Sequence, residues 1–126
     1  MTMKHNQSIG KWGEELAAQY LEQKGYSIIF RNWKSPYGEL DLIAKKDGTI
    51  TIVEVKTRTG KNFGWPEEAV TSLKQEHLMN AGMFFLDEHP EFSEQHWQID
   101  VIAILIESLI DRSYQLKHYE NAVTSI

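Results

Sequence analysis

The chain has 126 residues, no cysteine, 41% hydrophobic and 25% charged residues, and a formal net charge of −5. Those values suit one compact, core-forming domain and exclude global disorder, disulfide scaffolds, thiol catalysis, iron–sulfur clusters and cysteine-bound zinc. The longest apolar run, Val101–Ile106, is too short to span a bilayer and polar Met1–Gln7 is followed by no apolar signal core, so the expectation is a cytoplasmic protein, a single domain over residues 1–126 with 1–7 flexible.

In chain order, Ile9, Trp12, Leu16 and Tyr20 recur at helical spacing, with Gly13, Ala17 and Leu21 beside them, and predict a helix from about Ile9 to a stop at Gly25. Gly10 and Gly13 cost roughly 1 kcal/mol each there relative to Ala, which close approach of another backbone or a frayed helix start would explain. The β-branched and aromatic stretch from Tyr26 through Trp33 predicts a strand, and Ser35-Pro36-Tyr37-Gly38 a turn. Two alternating runs, Glu39–Lys46 and Thr49–Thr57, flank Asp47-Gly48, which is the strongest short-range signal for a hairpin. After a glycine-containing loop, Thr59–Trp65, Pro66 suits the first turn of a helix with Glu67 and Glu68 at its positive end. That helix should run to about Glu88 and bury Val70, Leu73, Ala81 and Phe84. Trp97–Ile106 predicts a strand buried on both faces, and Tyr114–Tyr119 an edge strand. The order α-β-β-β-α-β describes an α/β domain, one sheet packed by helices.

Charge is segregated along this order. Residues 24–61 carry eight Lys/Arg against four Asp/Glu, whereas residues 62–126 carry three against eleven. The two readings are a positive face for a polyanionic partner and a solvated surface of no particular meaning.

The hairpin carries the chemistry. A two-residue loop at 47–48 places Asp41 directly opposite Glu54, and Glu39 opposite Lys56, with all four side chains on one face. Ile43 with Ile52 adds an apolar pair beside them. Leu40 with Val55, Leu42 with Val53, and Ala44 with Thr51 should form a core layer on the other face. Two carboxylates across a ladder stand about 5 Å apart at Cβ and repel. A divalent cation resolves the conflict, and Mg²⁺ is typically held by one or two carboxylates plus waters and substrate phosphates. Lys56, two residues beyond Glu54, comes within reach of an attacking water or a phosphate oxygen. Two acids, a cation position and an ammonium are what phosphodiester hydrolysis requires. The plain alternative is a Glu39–Lys56 ion pair with Asp41 and Glu54 facing solvent.

Asp41 followed by Glu54-Val55-Lys56 on the next strand resembles the D…(D/E)-x-K signature of the PD-(D/E)XK nuclease superfamily. A longer set of motifs is similar to the YraN-like family, uncharacterised in function but related to Holliday-junction resolvases. It comprises Gly10-Lys-Trp-Gly-Glu14, Ala18-x-Tyr20-Leu21, Gly25-Tyr26, Asn32-Trp33, Gly38-Glu39-Leu40-Asp41-Leu42-Ile43, and Val53-Glu54-Val55-Lys56-Thr57-Arg58. The likeness extends to Glu120-Asn121-Ala122 and covers nearly the whole chain. It implies a restriction-endonuclease-like core, a mixed β-sheet with an antiparallel hairpin flanked by helices. It also implies a Mg²⁺- or Mn²⁺-dependent endodeoxyribonuclease: Asp41 and Glu54 as metal ligands with the Val55 carbonyl, Lys56 as the catalytic lysine, and Glu14 as an extra catalytic acid. Two departures stand out. Gln98-Ile99-Asp100 replaces the family's frequent Arg-Phe-Asp, and Glu76-His77 follows Lys74-Gln75 where basic residues are common.

For each remaining residue an ordinary role stands beside the functional one. Glu14 suits the positive end of a helix. Lys45, Lys46, Arg58, Lys61 and Lys74 are candidate nucleic-acid contacts or surface cations. Phe63 and Trp65 are able to stack on an unpaired base, although anchoring a loop is the favoured role for Trp65. Trp12, Trp33 and Trp97 read as core or interface residues. The five histidines show no HExxH spacing, and no glycine-rich phosphate loop follows a strand. The expected function is a metal-dependent DNA endonuclease in repair, recombination or processing, acting on DNA, with branched and single-stranded forms among its substrates, and off the membrane. A homodimer suits an enzyme that cuts two strands. The alternatives are a catalytically inactive nuclease-fold protein acting as a nucleic-acid-binding or scaffold module, and a structural dimer with an acidic surface.

Overall fold

The computed structural model describes residues 5–60 and 71–123. The expectations placed on Lys61, Phe63, Trp65, Pro66, Glu67, Glu68 and Val70 lie outside the described residues. Helix α1 (His5–Gln23) leads into β1 (Ser27–Ser35), β2 (Gly38–Lys46) and β3 (Thr49–Thr59); α2 (Ser72–Glu88), a short 3-10 turn at Pro90–Phe92, β4 (His96–Ser108) and β5 (Ser113–Tyr119) follow. The five strands form one sheet in the order β1-β2-β3-β4-β5. Only β3 and β4 run parallel, and α2 is part of the long crossover that parallel neighbours require. The sheet is therefore mixed, with an antiparallel hairpin and helices packed on it, as expected of a restriction-endonuclease-like core. No helix among the described residues is long and apolar enough to cross a membrane.

The hydrophobic core lies in two layers, one on each face of the sheet. Ala17, Ala18 and Leu21 of α1 pack on Leu42, Val53, Ile102, Ile104 and Ile106. Leu78, Ala81 and Phe85 of α2 pack on Leu40, Ile43, Ile50, Ile52 and Ile99. Both faces of β4 are thus covered, which accounts for its near-continuous apolar sequence. The expected stripe on α2 needs correction. Leu73 is 62% exposed, and the buried positions are Leu78, Ala81, Gly82 and Phe85, which recur at helical spacing. Five residues before Leu78, Leu73 falls on the far side of a 3.6-residue helix. Phe84 is half-buried, one position off the stripe, against Trp33 and Tyr37.

The hairpin register is the expected one. Asp47 and Gly48 both adopt positive φ, 51° and 76°, as a two-residue primed turn requires, and pairing runs from Lys46↔Thr49 to Leu42↔Val53. There the β2–β3 ladder ends, and the expected Asp41↔Glu54 and Glu39↔Lys56 pairs do not continue it. The reason lies on β1. Asn32 has a φ of 50° and falls between the pairs Arg31↔Leu42 and Trp33↔Leu40, opposite Asp41. Strict alternation breaks at this point in both strands. Phe30 and Trp33, three apart, share the α2 side, as do Ile43 and Leu40. Leu40 therefore leaves the layer of Leu42 and Val53, contrary to expectation, and β2 parts from β3 just where Asp41 stands.

Candidate functional site

The parted strands open a cleft of about 650 Å³. Its walls carry Glu14 and Gly10 from α1, Glu39 and Asp41 from β2, Glu54 through Thr59 from β3, and Lys74 from α2. Asp41 fills the fork: its Oδ2 accepts the Val55 backbone N–H at 2.8 Å, taking over the place of the lost ladder bond. Glu54 is only 2% exposed, and its Oε2 meets two ammonium groups, Lys74 at 3.1 Å and Lys56 at 3.4 Å. The plain alternative, a Glu39–Lys56 ion pair with Asp41 and Glu54 facing solvent, gives way to this arrangement. Glu39 instead accepts a hydrogen bond from Asn32 Nδ2 at 2.9 Å.

The two acids titrate as a pair. Burial, followed by the hydrogen bond and charge of Glu54, pushes the Asp41 carboxyl up to about 8 against the partial opposition of the Val55 N–H. Burial would also raise Glu54, but the hydrogen bond from Asp41 and the charges of Lys74 and Lys56 reverse that and hold it below the usual carboxylate range. Burial and the neighbouring carboxyl thus favour the protonated form of Asp41, while the two lysines favour the ionised form of Glu54. Two hard oxygen ligands pressed together, one of them pushed toward its protonated form, fit a hard dication well. Among the described residues no three acidic or histidine side chains converge closely enough to bind an ion by themselves. An ion here would complete its shell with the Val55 carbonyl, water and substrate oxygens, as Mg²⁺ commonly does.

Local packing explains how Glu14 reaches the cleft. A Cβ at Gly13 would collide with the side chain of Thr57, so glycine lets α1 lie directly against β3 at the level of Lys56. Of the two candidate explanations for this glycine, close approach is the one observed, although a side chain makes it. Glu14 then accepts the Asn32 amide at 3.1 Å, so one Asn32 Nδ2 bridges Glu14 and Glu39 across the mouth of the cleft. Asn32 was visible in the sequence only as part of a motif, with no role. Asparagine tolerates the left-handed backbone better than most residues and supplies the two-proton donor that the acids need.

The other sequence-derived candidates divide by position. Arg58 lines the cleft, exposed, with its guanidinium donating to the Thr57 carbonyl. Lys74 lines it too, and touches Glu54 rather than standing apart as a surface cation. Lys45 and Lys46, expected beside the site, sit at the turn end of the hairpin against Ile50 and Thr49, roughly 15 Å along the strand from Asp41 at about 3.3 Å per residue. Lys45 lies over the Phe92 ring and Lys46 over the Tyr26 ring. Gln98 is also away from the cleft, donating to Asp100 at 2.8 Å, so this departure from the family pattern removes nothing from the cleft itself.

A second polar cluster was not foreseen. Asp100, fully buried, accepts hydrogen bonds from Gln98 Nε2, His118 Nε2 and the Asn121 backbone N–H, and the Tyr20 hydroxyl stands 3.0 Å from His118 Nδ1. It ties β4, β5 and α1 together.

Comparison with known proteins agrees with the motifs. The profile of the uncharacterised protein family UPF0102 matches residues 13–104. A UPF0102 protein of Syntrophomonas wolfei is 48% identical over 117 residues, 93% of this chain and 98% of its own length. One from Rhodococcus opacus is 47% identical over 107 residues, 82% and 87% of the two chains, and one from Clostridium perfringens 41% identical over 120 residues, 94% and 96%. The chain belongs to UPF0102, the YraN family, a PD-(D/E)XK nuclease-like family.

Proposed function

We propose that this member of UPF0102 is a metal-dependent endonuclease that hydrolyses phosphodiester bonds in DNA, working in the cytoplasm in repair, recombination or processing. The observation that carries the proposal is the Asp41–Glu54 pair. Glu54 is buried and Asp41 half-buried, the two are forced together at a strand fork, and Lys56 overlooks them from an open cleft. A protein with no use for two adjacent acids would be more stable without one of them.

In this reading Asp41, Glu54 and the Val55 carbonyl would hold Mg²⁺ or Mn²⁺, which when bound would lower the pKa of a water and offset negative charge developing on phosphate. The chain's own groups do the rest. Asp41 would have to be ionised to hold the ion, so binding should tighten as pH rises toward its raised value. Lys56 directs an ammonium at a phosphate oxygen and stabilises charge that develops there. Arg58 flanks the phosphate path, and Glu14, steadied by Asn32, stands where it can orient water. The Gly13–Thr57 contact holds α1 and β3 in the geometry these groups need.

The test is a gel assay with Mn²⁺ on duplex, single-stranded and branched DNA. The wild type should cleave at least one of them, and Lys56→Ala should lower the rate at least ~100-fold, the size seen when one transition-state donor is removed, with circular dichroism unchanged. Cleavage persisting at the wild-type rate in the variant would assign the activity elsewhere. The acidic cleft mouth, with Glu14 and Glu39 side by side, repels phosphate and weighs against cleavage there, which favours a second reading, a scaffold or nucleic-acid-binding protein on a nuclease fold that meets its partner outside the cleft. That protein would bind DNA with steep salt dependence and never nick it.

A further inference from the structure

Glu54 holds two ammonium groups on one oxygen, and the two are anchored differently. Lys56 lies two residues along the same strand and is 22% exposed. Lys74 arrives from the first turn of α2, where the Thr71 hydroxyl caps its backbone N–H at 3.2 Å, and its side chain is 35% exposed. A lysine in that turn sits at the positive end of the helix dipole, where acids are normally favoured, and α2 has no acid there. The contact with Glu54 gives this misplaced charge a partner. It also fills the carboxylate that the proposed cation needs. A dication joining both lysines at Glu54 would gather several positive charges around one or two negative ones. Lys56 is tethered by its strand. Lys74, on a long flexible stem with solvent behind it, is the group able to leave, and a nucleic-acid backbone in the cleft would offer it phosphate oxygens instead.

We infer that Lys74 is a displaceable counter-ion of Glu54 whose alternative partner is a substrate phosphate, so that cation entry and nucleic-acid binding reinforce each other. The inference rests on the nuclease reading above and adds regulation to it: the cleft takes up its ion tightly only when a phosphodiester is present. Reciprocity follows, because whatever factor the nucleic acid adds to ion affinity the ion adds to nucleic-acid affinity.

The experiment is a Mn²⁺ titration followed by electron paramagnetic resonance of the free ion, with and without a short phosphorothioate duplex, on wild type, Lys74→Met, Lys74→Arg and Asp41→Asn. The duplex should tighten Mn²⁺ binding to the wild type on the order of tenfold, within the usual range of coupling between sites. Lys74→Met should bind Mn²⁺ more tightly than wild type without DNA and gain little from the duplex. Lys74→Arg should behave as wild type. If Lys74→Met matches wild type in both conditions while Asp41→Asn has lost the site, the coupling is wrong and the nuclease site survives. If wild type binds no Mn²⁺, or Asp41→Asn binds it equally, both fail together.

Discussion

Two aspartates stand on the same sheet in opposite circumstances, Asp41 half-buried at the cleft and Asp100 fully buried. Asp100 is fully buried and meets three donors, from Gln98, His118 and Asn121. Asp41 meets one donor, the Val55 N–H, and a second carboxyl group. A buried carboxylate surrounded by donors is a structural joint, here fastening β5 and the C-terminal turn to β4. A half-buried acid facing another acid gives the fold one hydrogen bond, to the Val55 N–H, against an unfavourable carboxyl–carboxyl contact, and the proposed cation site would explain that contact. The comparison teaches that the balance of donors around a carboxylate, more than its burial, separates a structural joint from a candidate site.

The largest expected effect lies on the structural side. Asp100→Asn turns an amide toward a ring of donors and should cost about 3 kcal/mol of stability, in the range for breaking a buried charged network. Saturating Mn²⁺ should stabilise that variant as it does wild type, about 2.7 kcal/mol at one hundred times the dissociation constant, read by chemical denaturation. Asp41→Asn should invert both results, being at least as stable as wild type without metal and nearly indifferent to Mn²⁺. Equal Mn²⁺ stabilisation of wild type and Asp41→Asn would erase the distinction between the two aspartates.

Acidity sharpens the contrast next. The folded Asp41 holds its proton up to about 8, whereas the unfolded chain loses it near 3.8. The folded state therefore binds the extra proton between those values, and its stabilisation is full below the lower one and lost as pH rises through the upper one. Glu54, held below its ordinary value, works the other way, its contribution disappearing as pH falls through the lowered value. In metal-free buffer, stability should decline from pH 4 to 8 in wild type relative to Asp41→Asn, as measured by urea midpoints across that range. Parallel curves would mean that the two carboxyl groups do not share a proton.

The smallest effect concerns Asn32. Asn32→Ala loses the bridge between Glu14 and Glu39 and places a Cβ residue at positive φ better suited to asparagine or glycine, so it should lose about 1 kcal/mol. Asn32→Gly keeps the backbone comfortable and loses the bridge alone, so it should retain most of the stability while weakening Mn²⁺ binding. A glycine variant as unstable as the alanine one would put the role of Asn32 in hydrogen bonding rather than in backbone geometry.

Much of this was legible in the sequence. Asp47-Gly48 set the hairpin register, and the apolar run of β4 announced a strand covered on both faces. The D…E-x-K spacing picked out two acids that line one cleft, although the ladder that should have paired them ends at Leu42 and Val53. The fork was not legible, since a break in alternation at Asn32 and Leu40 arises from packing against α2 and leaves no mark in a pattern of apolar residues. Lys74 was readable only as a cation, because its contact with Glu54 joins residues far apart in the chain. The contact of His118 with Tyr20 was hidden for the same reason: one comes from the edge strand and the other, read as part of the helical stripe, from the first helix.

The most direct test is anomalous diffraction from crystals soaked in Mn²⁺. A peak bound by the carboxylates of Asp41 and Glu54, with none at Asp100, is the predicted result. A fork without manganese at a concentration that stabilises the protein, or with the ion bound elsewhere, would contradict the assignment of these two acids as a cation site.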